Sequence, residues 1–177
     1  MPRLFTGFEL PDDVADALAM LRGGLPGARW ANPDDYHITL RFIGDVDGHT
    51  ARELEDMLAD ARCEPMTITL TGLDSFGGAK PHSVFASIAC NKALVELQNE
   101  HEWAARRVGL PPERRKFTPH VTLARLRSAS VLDVADFLST HGGFPSITFQ
   151  PDRFVLFSAR EQVGGGPYVV EAAYPLN

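Results

Sequence analysis

Short runs rich in β-branched and aromatic residues alternate along the chain with stretches whose apolar residues recur every three or four positions. Arg3–Leu10 is such a run and stops at Pro11. Pro11-Asp12-Asp13 then opens a helix to about Arg22, with Val14, Leu18 and Leu21 on one side and two carboxylates at its positive end. Gly23–Asp35 reads as a loop, apart from a short strand around Trp30. Tyr36–Ile43 is a strand ended by Gly44, and Thr50–Arg62 a helix with Leu54 and Leu58 inward. Met66–Leu73 alternates Ile68, Leu70 and Gly72 against Thr67, Thr69 and Thr71, the pattern of a half-buried strand. After a turn at Gly77-Gly78 come a strand at Ser83–Cys90, a helix from about Lys92 to Val108 and a loop at Gly109–Pro119. His120–Leu126 is a strand and Val131–Thr140 a short helix. Strands at Ser146–Phe149, Arg153–Arg160 and Tyr168–Tyr174 close the chain, the last two joined across Gly164-Gly165-Gly166. Hairpins outnumber strand–helix–strand crossovers. The expected fold is therefore α+β and bilobal: two pseudo-symmetric halves, with largely antiparallel sheets lining a central cleft and helices outside. All 177 residues are expected to form one domain of two similar lobes.

Two of these strands carry the same H-x-T-L pattern. His37-Ile38-Thr39-Leu40 recurs as His120-Val121-Thr122-Leu123, and two copies are far above chance in a chain with six histidines. Alternation on a strand puts His37 and Thr39 on one face, roughly 6.6 Å apart. His120 and Thr122 repeat the arrangement. Arg41 shares the face of His37 by the same rule. Arg125 falls opposite His120 unless twist or a bulge intervenes.

Composition narrows the chemistry. The chain is 44% hydrophobic and 23% charged, enough for one substantial core and too ordinary for disorder. Its net charge of −6 argues against coating nucleic acid through bulk electrostatics, though not against gripping one RNA end. A local basic cluster, Arg106, Arg107, Arg114, Arg115 and Lys116, precedes the second tetrapeptide; a solvated helix end explains it equally well. Cys63 and Cys90 fit no metal or redox spacing and read as reduced thiols. No secretory leader and no bilayer-length apolar stretch is evident, so a cytoplasmic protein with no membrane contact and no obligate protein partner is expected.

Two imidazoles and two hydroxyls facing one pocket equip a protein for acid–base chemistry on a phosphate ester. Histidine titrates near neutrality, so one ring can accept a proton while another donates one. The Thr hydroxyls can donate to non-bridging oxygens. Neither tetrapeptide has zinc-site spacing or a carboxylate cluster beside it, so no metal and no cofactor are expected.

The paired tetrapeptides resemble the signature of the 2H phosphoesterase superfamily. The likeness extends to Arg3-Leu-Phe-Thr-Gly-Phe-Glu-Leu-Pro11, to Trp30 with Tyr36–Gly44, to Phe117–Arg125, and to Phe154–Ser158 with Gly166–Tyr168. It is strongest to the RNA 2′,3′-cyclic phosphodiesterase branch, also called the 2′-5′ RNA ligase branch. The resemblance implies hydrolysis of RNA or cyclic nucleotides with 2′,3′-cyclic phosphate ends to 2′-phosphates, with reversible 2′-5′ ligation as a second reaction. It implies catalysis by His37, His120, Thr39 and Thr122, one histidine as acid and the other as base; His37 is taken as acid and His120 as base, and the sequence leaves the exchange of these roles open. Arg125 aligns with a phosphate-neutralising arginine; Arg41 is a second candidate phosphate contact, and Phe8 and Phe117 are candidates for base stacking. Gly7 departs from the small apolar residue more usual there. Two alternatives stay open: a small substrate such as ADP-ribose 1″,2″-cyclic phosphate, and a non-catalytic RNA-end-binding module.

Overall fold

A computed structural model describes residues 3–159 and 167–176; the Gly164–Gly166 connection and Arg160 lie outside the described residues. The elements run β1 (Arg3–Glu9), α1 (Asp12–Ala19), β2 (Ala28–Trp30), a 3-10 turn (Pro33–Asp35), β3 (His37–Asp45), α2 (Gly48–Ala59), β4 (Ile68–Phe76) and β5 (Ser83–Ile88). There follow α3 (Lys92–Arg107), β6 (His120–Leu126), α4 (Val131–Thr140), β7 (Ile147–Phe149), β8 (Arg153–Ala159) and β9 (Tyr168–Pro175). Side chains fix three helix starts. Asp47, Asn91 and Ser130 accept from the backbone N–H groups of Thr50, Leu94 and Asp133 at 2.7, 2.8 and 3.0 Å. The Asp47 cap starts α2 two residues before the expected Thr50. α1 ends at Ala19, short of Arg22, because positive φ at Gly23 and Gly24 turns the chain away.

Two antiparallel sheets form, in the orders β3-β1-β8-β9 and β2-β6-β5-β4-β7. The fold is α+β with two lobes, as expected. The lobes are not the two halves of the sequence, however. The first sheet joins the chain's beginning to its end, and the middle of the chain builds the second. β3 is an edge strand, and its Cα atoms approach those of β6 within 8 Å. The core is a continuous apolar body containing Phe8, Leu18, Ile38, Leu54, Leu70, Leu97, Leu123 and Phe154. Ile38 and Leu123 belong to the tetrapeptides, so each motif strand is clamped by its buried residues while its histidine faces the partner strand.

Candidate active site

The leucine of each tetrapeptide is the extra residue of a β-bulge. Between β1 and β3, Gly7 pairs Thr39 and Thr6 pairs Arg41, leaving Leu40 over. Between β5 and β6, Phe85 pairs Thr122 and Val84 pairs Ala124, leaving Leu123 over. Each bulge reverses the alternation that follows it. Leu40 and Arg41 are consecutively buried, as are Leu123 and Ala124. The next residue in each case, Phe42 or Arg125, is exposed and turns to the histidine's face of its strand.

This corrects the expectation for Arg41. The side chain is buried on the helix side of the sheet, pairs with Glu102 of α3 at 2.6 Å, and donates to the carbonyls of Phe42 and, at 2.7 Å, Pro111. It holds the 109–119 loop against β3, and its three guanidinium nitrogens are each engaged by a protein acceptor. The same bulge logic resolves Arg125. It is exposed, forms no ion pair among the described residues, and its charge reaches both His37 and Tyr168.

Both imidazoles are oriented alike. Nδ1–H of His37 donates to the carbonyl of Asp35 at 2.8 Å, and Nδ1–H of His120 to that of Thr118 at 2.6 Å. A carbonyl can only accept, so each neutral ring carries its lone pair on Nε2. Thr39 Oγ1 lies 3.0 Å from His37 Nε2 and donates to it in the neutral state. No hydrogen bond engages His120 Nε2 or the Thr122 hydroxyl among the described residues. Burial pushes both histidines below their ordinary pKa; for His37 the nearby His120 and Arg125 add to that, against the Asp35 carbonyl and carboxylate. Both rings are therefore neutral at pH 7 in the free protein.

Aromatic rings back the two histidines. Phe5, Tyr168 and Phe157 lie 5.0, 5.0 and 5.6 Å from His37, and Phe76 and Phe85 lie 4.9 and 5.1 Å from His120. Sequence reasoning missed all five, because phenylalanines on strands read as core; cross-strand register is the signal that separates them. Phe8 is corrected instead: it shares the Leu4 and Thr6 face of β1, is wholly buried and offers no face for stacking. Phe117 is half-buried against the core. In the basic cluster, Arg106 is tied to Glu102 and Arg115 to Glu113, while Arg107, Arg114 and Lys116 form no ion pair among the described residues. Beyond Tyr168 a cavity of about 500 Å³ is lined by Glu9, Asp12, Asp16, Asp34 and Asp35.

Glycine at position 7 is required by this packing. A Cβ there would lie 2.2 Å from the carbonyl oxygen of Ile38, inside the first tetrapeptide. Among the described residues, no helix is long and apolar enough to cross a membrane.

Comparison with known proteins agrees with this geometry. The sequence matches the LigT like Phosphoesterase family over residues 8–86 and 88–168, spanning both tetrapeptides. It is 31% identical over 164 residues to a Bacillus subtilis (strain 168) protein named RNA 2′,3′-cyclic phosphodiesterase, covering 88% of this chain and 87% of that one. An Aeropyrum pernix protein of the same name is 38% identical over 98 residues, covering 54% of this chain and 56% of its own. In fold, the chain is similar to E. coli LigT crystallised with 3′-AMP, at a TM-score of 0.81, 24% identity and 99% coverage of both chains. The chain belongs to the LigT-like phosphoesterase family of the 2H superfamily, and is by that membership a phosphoesterase.

Proposed function

We propose that the protein hydrolyses 2′,3′-cyclic phosphate ends of RNA or nucleotides to 2′-phosphates by two-histidine acid–base catalysis. The observation that carries this reading is the like orientation of His37 and His120, each fixed through Nδ1 with Nε2 left for chemistry. His120 Nε2, without a hydrogen-bond partner among the described residues, takes a proton from water as the water oxygen bonds to phosphorus. The bond from phosphorus to the 3′ oxygen breaks, and protonated His37 gives its Nε2 proton to that oxygen. One water is added, and the product carries a 2′-phosphate and a 3′ hydroxyl.

The acid has to be charged, yet burial and Arg125 disfavour that in the free protein. The anionic substrate supplies the remedy: its phosphate offsets the Arg125 charge and stabilises an imidazolium beside it. Thr122, with its hydroxyl unengaged, and Thr39 donate to the non-bridging oxygens as charge grows there. The names of the Bacillus subtilis and Aeropyrum pernix relatives support this substrate class, and the 3′-AMP bound to E. coli LigT supports a nucleotide ligand.

The test is turnover of an oligonucleotide ending in 2′,3′-cyclic phosphate, in EDTA, with the product phosphate located by chromatography against 2′ and 3′ standards. A 2′-phosphate is expected, with His37→Ala and His120→Ala each slower by about 10²–10⁴-fold. A 3′-phosphate product, or full activity in either variant, overturns the reading. Supplying a 5′-hydroxyl strand in excess tests 2′-5′ joining, in which that hydroxyl replaces water as the nucleophile, His120 takes its proton, and the same bond from phosphorus to the 3′ oxygen breaks.

A further inference from the structure

We propose that Arg29 holds the phosphate on the 5′ side of the terminal nucleotide, and so favours phosphate-bearing RNA ends over free cyclic nucleosides. This rests on the cyclic phosphodiesterase reading and deepens it by assigning a second phosphate subsite. β2 is three residues long and lies at the edge of the second sheet, paired with β6 in the register Ala28↔Leu126, Arg29↔Arg125 and Trp30↔Ala124. Trp30 packs on Phe137 of α4 and Ala124 is buried, so that pair faces the helices. Alternation turns Arg29 and Arg125 the other way, onto the face of His120. Backbone bonds fasten the short strand at both ends: Ala31 N–H donates to the Leu123 carbonyl at 2.8 Å, and Arg127 N–H to the Gly27 carbonyl at 3.0 Å. Arg29 is therefore the one side chain of β2 on the cleft side.

Two like charges are thus set side by side. Directly opposed residues of an antiparallel pair have Cβ atoms about 5 Å apart, where like charges repel. Arg29 and Arg125 are both exposed, and neither forms an ion pair or a side-chain hydrogen bond among the described residues. Carboxylates outnumber cations in this chain by 23 to 17, yet none neutralises the pair; an anionic ligand offsets that repulsion. Ser83 continues the row on the far side of Arg125, so a hydroxyl and two guanidiniums lie in line across β5, β6 and β2. The charge of Arg125 reaches His37, which assigns it to the phosphate under attack. Arg29 begins one strand further out, at the open edge of the sheet. The next anion of an RNA end is the phosphodiester on its 5′ oxygen, and a free cyclic nucleoside has none there. A guanidinium matches such a phosphate with two parallel N–H donors.

Adenosine 2′,3′-cyclic phosphate and its 5′-phosphorylated form differ only in the group that Arg29 is assigned to hold. Steady-state kinetics on both are compared for wild type, Arg29→Ala, Arg29→Lys and Arg107→Ala, the last removing an exposed cation on α3. Wild type is expected to prefer the 5′-phosphorylated ester in kcat/KM. Arg29→Ala should cut that preference about tenfold, the worth of one charge-assisted phosphate contact, and chiefly through KM. Arg29→Lys should restore part of the preference, and Arg107→Ala should leave it as in wild type. Absence of a wild-type preference, or equal losses on both esters in Arg29→Ala, overturns the proposal. Calorimetric titration with adenosine 2′-monophosphate and adenosine 2′,5′-bisphosphate makes the same comparison without turnover. Weakening of the bisphosphate alone in Arg29→Ala, in a protein that hydrolyses neither ester, supports the subsite while sinking the phosphodiesterase reading. Equal weakening of both ligands sinks the subsite.

Discussion

His101 makes this fold lose stability in acid, and the size of the effect follows from its surroundings. The ring sits on α3, 1% exposed, with Nδ1 2.7 Å from Thr6 Oγ1 of β1 and its face 4.6 Å from the Phe154 ring. Among the described residues, its buried Nε2 has no hydrogen-bond partner. Nothing near it compensates a positive charge, and burial pushes its pKa from the ordinary 6.5 down to about 3. The unfolded chain binds a proton at His101 below pH 6.5, and the folded chain does so only near pH 3. The stability this ring contributes is thus fully present above pH 6.5 and is lost as pH falls toward 3. Each pH unit in that window is worth about 1.4 kcal/mol, so on the order of 2 kcal/mol goes between pH 6.5 and pH 5. The comparison variant is His101→Leu with Thr6→Val, which removes the titrating group and avoids orphaning the threonine hydroxyl. Urea unfolding of both proteins at pH 7, 6 and 5 isolates His101, since His37 and His120 titrate in each. Wild type is expected to lose about 2 kcal/mol more than the variant across that range. Parallel pH dependences would refute the assignment of a neutral, uncompensated buried imidazole.

Three further outcomes are expected. Glu102→Gln leaves the buried Arg41 charge unpaired and should destabilise by about 3 kcal/mol, lowering the thermal midpoint by roughly 6–12 °C in calorimetry. The Glu102 carboxyl is pushed up by burial but held below its usual range by the bonds from Arg41, Arg106 and the Glu113 backbone. Gly7→Ala drives a methyl into the Ile38 carbonyl; a loss on the order of 2 kcal/mol in urea unfolding is expected, with a reduced kcat because β3 must shift. The pH profile of kcat/KM reports the free protein, whose two histidines are both depressed, so the bell should centre below 6.5. The acid limb marks protonation of the base and the alkaline limb loss of the proton from the acid. Arg125→Ala should move the alkaline limb to higher pH, because removing that cation relieves His37, while lowering kcat/KM itself.

What the sequence made legible, and what it hid, divides at the two bulges. The tetrapeptides, the strands that hold them and the helices outside follow from local periodicity. Ile38 and Val121 are core residues whose burial fixes the facing of the histidines next to them. Sheet membership was hidden, because nothing local tells β1 and β3 to pair with β8 and β9 from the far end of the chain. More consequential was the register. Two-residue alternation assigns Arg41 to the histidine face and Arg125 to the core face, and the structure reverses both. The reversal follows from pairing. A bulge is a mismatch between two strands, so a single strand read alone cannot reveal it. Once Leu40 and Leu123 are seen as the extra residues, one rule accounts for four side chains: Arg41 and Ala124 turn inward, and Phe42 and Arg125 turn outward.

The same rule explains how one repeated motif yields a site with two different sides. Strands that share the H-x-T-L pattern and the same bulge would by themselves present like groups to the cleft from both sides. Divergence at the residues just past the bulge breaks that symmetry without disturbing the histidines. Phe42 over Phe5 and Arg125 over Ser83 are the products of that divergence. The inward-turned partners diverge as well: Ala124 simply fills the core of the second lobe, while Arg41 reaches across to Glu102 and Pro111 and fastens the loop that delivers His120. A single side chain on the first motif strand thus ties that strand both to α3 and to the loop that leads into the second motif.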